Sequence, residues 1–267
     1  MRCAVVGHPV AYSLTPALYR AAFAELGLDW TCDAIDIEDG GLPAFVTGLG
    51  DDWAGLAVTM PHKRAAAGLG RPSQSVTRLG VANTLVFSDD GIAAHNTDVA
   101  GFVQALQYRR IDSIDRAVLL GAGATARSAL VALVHLGVQE VTAQMRDLDG
   151  AADWLRLADE LGVEASAERL GTRHDTDLLI STLPGEAGAP WCDEAVAMAQ
   201  VIMDVSYNPW PSPLVSAAVD AGLPVVTGLD LLAGQAVFQL ELIAGDTVDF
   251  ETLHRAGQQE LTLKWHD

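Results

Sequence analysis

The apolar residues fall into short runs separated by stretches of helical spacing. Cys3–Val6 is an apolar run of strand length that stops at Gly7. From Ser13 to Leu26, Leu18, Ala21, Ala22 and Leu26 recur at helical spacing, and Gly27 is placed to end that helix. Thr31–Ile37 alternates like a strand, Leu42–Leu49 reads as a short helix, and Gly55–Thr59 as a third strand. Ala82–Phe87 and Ile92–His95 flank Ser88-Asp89-Asp90-Gly91, which has the turn chemistry of a hairpin. Alternating strands and helices predict a mostly parallel sheet with helices on both faces.

The pattern restarts near Ala100. Gly101–Tyr108 reads as a connecting helix and Ala117–Leu120 as a fully apolar strand. A helix follows to Leu136, closed by Gly137, and then a strand at Val141–Met145; together they form one βαβ unit. Further strands are expected at Asp177–Ile180, Val201–Val205 and Pro224–Val226, and helix at Gly234–Ile243 and Phe250–Leu263. The expectation is an α/β chain of two domains. Residues 1–99 form an N-terminal α/β substrate-binding domain, to which residues 240–267 return as helices. Residues 100–239 form a Rossmann-type dinucleotide-binding domain, and ligands are expected at the carboxyl ends of the strands.

Composition narrows the partners. Half of the 267 residues are hydrophobic, enough for two cores, yet no apolar run approaches the ~20 residues of a membrane helix. A strand beginning directly after Met1 is expected to leave no room for a signal peptide. Cys3, Cys32 and Cys192 are far apart and read as free thiols in a reducing cytoplasm. No His/Cys/Asp cluster has ligand spacing, so no metal is expected. The formal net charge of −19 argues against nucleic acid as a partner. It also means that an anionic ligand must be held by local positive features: Lys63, Arg127, Arg146 or a helix N-terminus.

Two loops supply chemistry. Lys63 follows a strand and the turn at Met60-Pro61, and Asp98 closes Asn96-Thr97-Asp98. A loop lysine is ordinarily a solvated charge, and an aspartate at such a place is ordinarily a helix N-cap. Together they are the minimum equipment for moving a proton to or from a hydroxyl. A third loop, Gly121-Ala122-Gly123-Ala124-Thr125-Ala126, follows an apolar strand and opens a helix. Its small residues allow a tight turn and close approach of a pyrophosphate to the helix N-terminus. Hydride carrier plus proton relay means interconversion of an alcohol and a ketone. The end of the next strand, Met145-Arg146-Asp147-Leu148-Asp149, carries both an arginine suited to the 2′-phosphate of NADP and acids suited to the ribose hydroxyls of NAD.

These segments resemble the shikimate dehydrogenase family, from the first strand to the last helix. Thr59-x-Pro61-x-Lys63 matches the family's Thr-x-Pro-x-Lys, and Asn96-Thr97-Asp98-x-x-Gly101 its Asn-Thr-Asp-x-x-Gly. The resemblance implies reversible reduction of 3-dehydroshikimate to shikimate, a step in aromatic amino-acid biosynthesis, by a cytoplasmic enzyme. Lys63 and Asp98 would be catalytic. Gly7-His8-Pro9 with Ser13-Leu14-Thr15-Pro16 resembles the family's carboxylate-binding loop, implying that Ser13 and Thr15 hold substrate. Thr59, Asn83 in Ala82-Asn83-Thr84, Tyr207 in Tyr207-x-Pro209 and Gln235 in Gly228…Gln235 would complete that pocket. Residues 121–126, Arg146, Thr182 of Ser181-Thr182-Leu183-Pro184 and Gly228 would hold the cofactor, expected to be NADP with NAD possible. Oligomeric state stays open between monomer and homodimer.

The departures are specific. Thr15 stands where serine is usual, Tyr19 where a histidine is expected, and Leu231 where methionine is. Ala124 stands where relatives often have glycine, Asp147 where Thr or Ser is usual, and Gly150 where a second arginine would be. Thr15 and the acids at 147 and 149 motivate an alternative, an NAD-preferring quinate or quinate/shikimate dehydrogenase. A non-catalytic sensor of the same ligands is more distant, since a sensor has no use for a proton relay.

Overall fold

The computed structural model describes residues 1–265. It divides into two compact units, one made of Met1–Gly101 and the chain from Leu232 on, the other of Phe102–Leu231. The boundaries expected from the pattern, 99/100 and 239/240, fall in the same two helices as these divisions: α5 (Asp98–Tyr108) and α11 (Gly228–Ala244). The continuous α11 puts Gln235 with the first unit.

The first unit runs through β1 (Arg2–Gly7), α1 (Thr15–Leu26), β2 (Thr31–Asp36), α2 (Leu42–Thr47), β3 (Trp53–Val58) and α3 (Lys63–Ala66). It continues through β4 (Arg71–Pro72), α4 (Gln74–Leu79), β5 (Thr84–Ser88) and β6 (Gly91–His95), and regains α12 (Phe250–Trp265) at the end of the chain. Its six strands are ordered β2-β1-β3-β5-β6-β4. β1 pairs parallel with β2 and β3, and β4 with β6. β5 is antiparallel to both its neighbours; the two-residue connection to β6 permits nothing else on that side. The sheet is therefore mixed, with three parallel and two antiparallel pairings. Val6, Leu56, Val58, Leu85 and Ala94 from its strands join Leu42, Val46 and Trp53 in one buried cluster. α12 packs against α1.

The second unit holds β7 (Arg116–Leu120), α6 (Ala124–His135), β8 (Glu140–Met145), α7 (Ala151–Leu161), β9 (Glu164–Arg169) and β10 (Thr176–Ser181). Then come α8 (Gly185–Gly188), α9 (Cys192–Met198), β11 (Ala199–Asp204), α10 (Pro213–Asp220) and β12 (Val225–Val226). The strand order β12-β11-β10-β7-β8-β9 is parallel throughout. This is the doubly wound arrangement of a Rossmann-type sheet, with the order reversing beside β7, the strand that feeds the glycine loop. The central strands read as continuous apolar runs because both faces are covered: Leu119, Ala143, Leu178, Leu179 and Ile180 are fully buried.

Candidate active site

In the first unit the chain brings Lys63 to Asp98. Lys63 opens α3 directly after the turn in which the His62 N–H donates to the Thr59 carbonyl at 2.9 Å. Its carbonyl accepts the Ala82 N–H at 2.8 Å, tying the turn to the strand entry at Asn83. Nζ then donates to Asp98 Oδ2 at 2.6 Å, with the two side chains 13% and 2% exposed. Such burial makes the pair interdependent: removing either partner leaves an uncompensated charge out of water.

Asp98 is the first residue of α5, but it does not cap that helix; Asn96 Oδ1 accepts the Val99 N–H at 3.4 Å. The Asp98 carboxylate is directed elsewhere, with Oδ2 on Lys63 and Oδ1 accepting from Asn83 Nδ2 at 2.8 Å. Asn83 holds the loop from both ends of its amide. Its Oδ1 accepts the Thr97 N–H and the Thr84 hydroxyl, each at 2.8 Å. Its Nδ2 lies 3.0 Å from Thr97 Oγ1 and 3.2 Å from Gln235 Oε1 as well as on Asp98. Two N–H groups thus serve three acceptors. Asn83 is itself 1% exposed, and its backbone carbonyl accepts from Gln239 Nε2 at 3.1 Å.

Gly101 explains why Gln235 can reach this network. A Cβ at position 101 would lie 2.8 Å from the Gln235 nitrogen and 3.0 Å from its Cα. Only a residue without a side chain lets α5 and α11 approach so closely there.

Ser13 and Thr15, 6% and 3% exposed, sit where the chain enters α1. Ser13 Oγ accepts the Thr15 N–H at 3.3 Å, and the Ser13 carbonyl accepts from Lys264 Nζ at 3.2 Å. Tyr19, one turn along α1 and fully buried, donates its hydroxyl to Gln239 Oε1 at 3.1 Å. Thr59 is half-buried at the end of β3. His62 is buried and donates Nε2–H to the Ile37 carbonyl at 2.7 Å, while its Nδ1 has no hydrogen-bond partner among the described residues.

In the second unit the glycine loop makes a tight turn into the start of α6. Gly121 takes φ +104°, the left-handed region, and a Cβ there would strike Thr182 Oγ1 at 2.6 Å. Thr182 in turn donates its hydroxyl to the Leu120 carbonyl at 2.9 Å, bracing the turn. Ala122 follows; Gly123 caps α6 in extended conformation with no side-chain cap, and nothing lies within 4 Å of where its Cβ would be. The first amides of this twelve-residue helix are therefore open to an anion. Ala124 and Thr125 form its first turn, and Ala126 is fully buried, as close helix–strand packing demands. Arg146 stands exposed beyond β8, while the Asp147 side chain accepts the Asp149 N–H at 3.0 Å and caps the following turn. Capping is what a Thr or Ser would do at 147.

Tyr207 lies, half-buried, in the loop after β11. That loop is held by Asp204, 2% exposed, which accepts from Ser212 Oγ at 2.6 Å and from the Ser206 N–H at 3.1 Å. Burial pushes the Asp204 carboxyl up to about 6, offset in part by the Ser212, Ser206 and Ser181 hydrogen bonds. Gly228 begins α11 where a Cβ would run into the Val205 carbonyl oxygen. Nearby, Asp230 is fully buried and takes both arms of Arg109, at 3.0 and 2.9 Å.

The structure thus joins Lys63, Asp98, Asn83 and Gln235 into one network, and separately Gly121 and Thr182. Gln239 and Asp204 were not among the residues expected from the sequence, and Tyr19 was noted only as a departure from the family's histidine. Gln239 had one available signal, its position four residues after Gln235 on the same helix face.

The chain matches the model of the shikimate dehydrogenase substrate-binding domain over residues 5–85. It is 34% identical to the shikimate dehydrogenase (NADP(+)) of Methanopyrus kandleri, an alignment covering 96% of this chain and 94% of that one. Among solved structures, shikimate dehydrogenase from Mycobacterium tuberculosis superposes with a TM-score of 0.87 at 35% identity, covering 97% of this chain and 98% of the other. Shikimate 5-dehydrogenase from Thermus thermophilus, solved with NADP(H) and shikimate, gives a TM-score of 0.86 at 30% identity, covering 98% of this chain and 100% of the other.

Proposed function

This chain belongs to the shikimate dehydrogenase family, and from that premise we propose that it is an NADP-dependent oxidoreductase interconverting 3-dehydroshikimate and shikimate. The observation that carries the reading is the Lys63–Asp98 pair, formed at 2.6 Å and largely removed from water. When bound, NADPH supplies the hydride to the ketone carbon. Negative charge then develops on the ketone oxygen, and Lys63 Nζ delivers the proton that makes it a hydroxyl; in the oxidative direction Lys63 removes it. Asp98 fixes the ammonium and, through Oδ1, is itself fixed by Asn83. The hydroxyl-rich ring suits Thr59, Asn83 and Gln235, and its carboxylate suits the hydroxyls of Ser13 and Thr15. The family resemblance assigns Tyr207 to the substrate as well.

The second unit fits the cofactor. Gly121 and Gly123 allow the pyrophosphate to reach the uncapped start of α6, and Thr182 and Gly228 border the segments expected at the nicotinamide end. Arg146 provides a guanidinium for the 2′-phosphate. Relatives named for NADP(+) favour this cofactor over NAD. None of the described helices is long and apolar enough to cross a membrane. Three free, buried thiols fit a reducing cytoplasm.

The test is a rate measurement on the purified chain with shikimate and quinate, each with NADP and NAD. Shikimate with NADP is expected to give the highest kcat/KM. Binding of shikimate and NADP without reduction of the nicotinamide would return the protein to the class of sensors.

A further inference from the structure

The edge of the second sheet carries an arginine that no motif points to. β8 and β9 are parallel and in register, with Met145 opposite Arg169, so Arg169 ends β9 where Arg146 leaves β8. The turn after Arg169 is pinned. Gln144, fully buried, donates Nε2–H to the Thr172 carbonyl at 2.5 Å and accepts the Gly171 N–H at 3.2 Å. The Leu170 N–H bonds the Met145 carbonyl at 3.2 Å, and the Thr172 hydroxyl bonds the Arg169 carbonyl at 2.8 Å. Held this way, Arg169 extends toward β8, with Nη1 3.5 Å from the Arg146 carbonyl oxygen. Both arginines are exposed.

Charge gives this placement a use. Arg146 is followed in the chain by Asp147 and Asp149, so the segment after β8 carries more negative than positive charge. A dianionic 2′-phosphate would be repelled there. Arg169 adds a second guanidinium to the same edge, and Glu168 beside it is already bonded to His174. In Rossmann-type sheets the adenosine ribose lies past the end of the second strand, here β8. Two guanidinium forks can share the oxygens of one phosphate, each in bidentate geometry.

We propose that Arg169 is the second arginine of the 2′-phosphate site, supplied by β9 in place of the residue that Gly150 lacks. The proposal rests on the NADP reading above. Its test is calorimetric titration of the full chain with adenosine 2′,5′-bisphosphate and with adenosine 5′-monophosphate, for wild type, Arg169→Ala, Arg169→Lys and Arg146→Ala. Arg169→Ala should weaken the bisphosphate about 10- to 100-fold, the loss of a charge-assisted hydrogen bond, and leave the monophosphate unchanged. Arg169→Lys should recover part of the loss, since it restores charge without the fork. KM for NADP should rise in Arg169→Ala while kcat stays near wild type. Bisphosphate binding equal to wild type in Arg169→Ala, with Arg146→Ala impaired, overturns the role of Arg169 alone. An equal loss for both nucleotides assigns Arg169 to the integrity of the sheet edge and also overturns it. Equal affinity of the wild type for both nucleotides refutes the NADP reading, and this proposal falls with it.

Discussion

The buried ionic network around Lys63 in the first unit and the exposed arginine edge of the second place similar residue types in opposite settings. Around Lys63 the charged and amide groups find their partners within the protein: Asp98 on Lys63, Asn83 on Asp98, Gln239 on Asn83 and Tyr19 on Gln239. Around Arg146 the two arginine side chains stand exposed, while Gln144 and the Asp147 cap hold the backbone nearby. A group that must move a proton to one oxygen gains from being held in one geometry. A group that must attract a mobile dianion gains from long reach and unspent donors. Burial is therefore a guide to which kind of chemistry an ionic group performs.

The largest expected effect breaks the buried side. Lys63→Ala should lower kcat about 10²–10⁴-fold while KM for shikimate changes little, because general acid–base help acts in the transition state. Asp98→Asn should be slow as well and should also bind shikimate less well, since it removes the charge that orients Lys63. Turnover near wild type in Lys63→Ala would take the pair out of the mechanism.

The exposed side should fail differently. Arg146→Ala is expected to raise KM for NADP about 10- to 100-fold, with NAD almost unaffected and kcat preserved. A loss of turnover with both cofactors would erase the contrast between the two regions.

Gly101→Ala sharpens the contrast by disturbing the network without removing a polar side chain. In an ordinary helix the change would be favourable by roughly 1 kcal/mol. Here the new methyl meets the backbone of Gln235, so a destabilisation of about 1–3 kcal/mol is expected instead in urea unfolding. KM for shikimate should rise as Gln235 is displaced. A stabilised variant with normal KM would show that the close approach is dispensable.

The smallest effect is on stability and belongs to Asp204, the buried carboxyl held by hydroxyl and amide donors. Its pKa lies at about 6 in the folded state, above the 3.8 of an unperturbed carboxyl. The folded protein holds this proton more tightly than the unfolded chain, so the stabilising contribution is greatest below about pH 4. It is lost as pH rises through about 6. Asp204→Asn, whose amide keeps an acceptor for Ser206 and a donor for Ser212, should flatten stability across that window. At neutral pH the variant should gain about 1–2 kcal/mol, measured by urea unfolding at several pH values. A wild-type profile in the variant would mean that another group titrates.

Local signals were legible and distant ones were not. The glycine loop showed in its own spacing, whereas Lys63 and Asp98 stood out only because their short segments resemble the family's. The network behind Asp98 joins Tyr19 to Gln239 and Asn83 to Gln235, pairs brought together only by α1, β5 and α11 folding onto one another. β9 escaped because Glu164-Ala-Ser-Ala-Glu-Arg169 has no β-branched or large apolar residue; as an edge strand it has only one neighbour and little need of them. With β9 unseen, Arg169 could not be placed beside Arg146. The short elements between Lys63 and Leu79 escaped for a different reason, each being too brief to show a period.

The discontinuity of the first unit also sets an order of events at the ribosome. Phe102–Leu231 emerges as one uninterrupted stretch and carries a whole parallel sheet, so the nucleotide unit can fold as soon as it clears the exit tunnel. The earlier-made segment, Met1–Gly101, holds all six strands of its sheet, but the setting of Asn83 is completed only by Gln235 and Gln239, which are translated after everything the other unit requires. The half of the protein that is synthesised first is the half that is finished last.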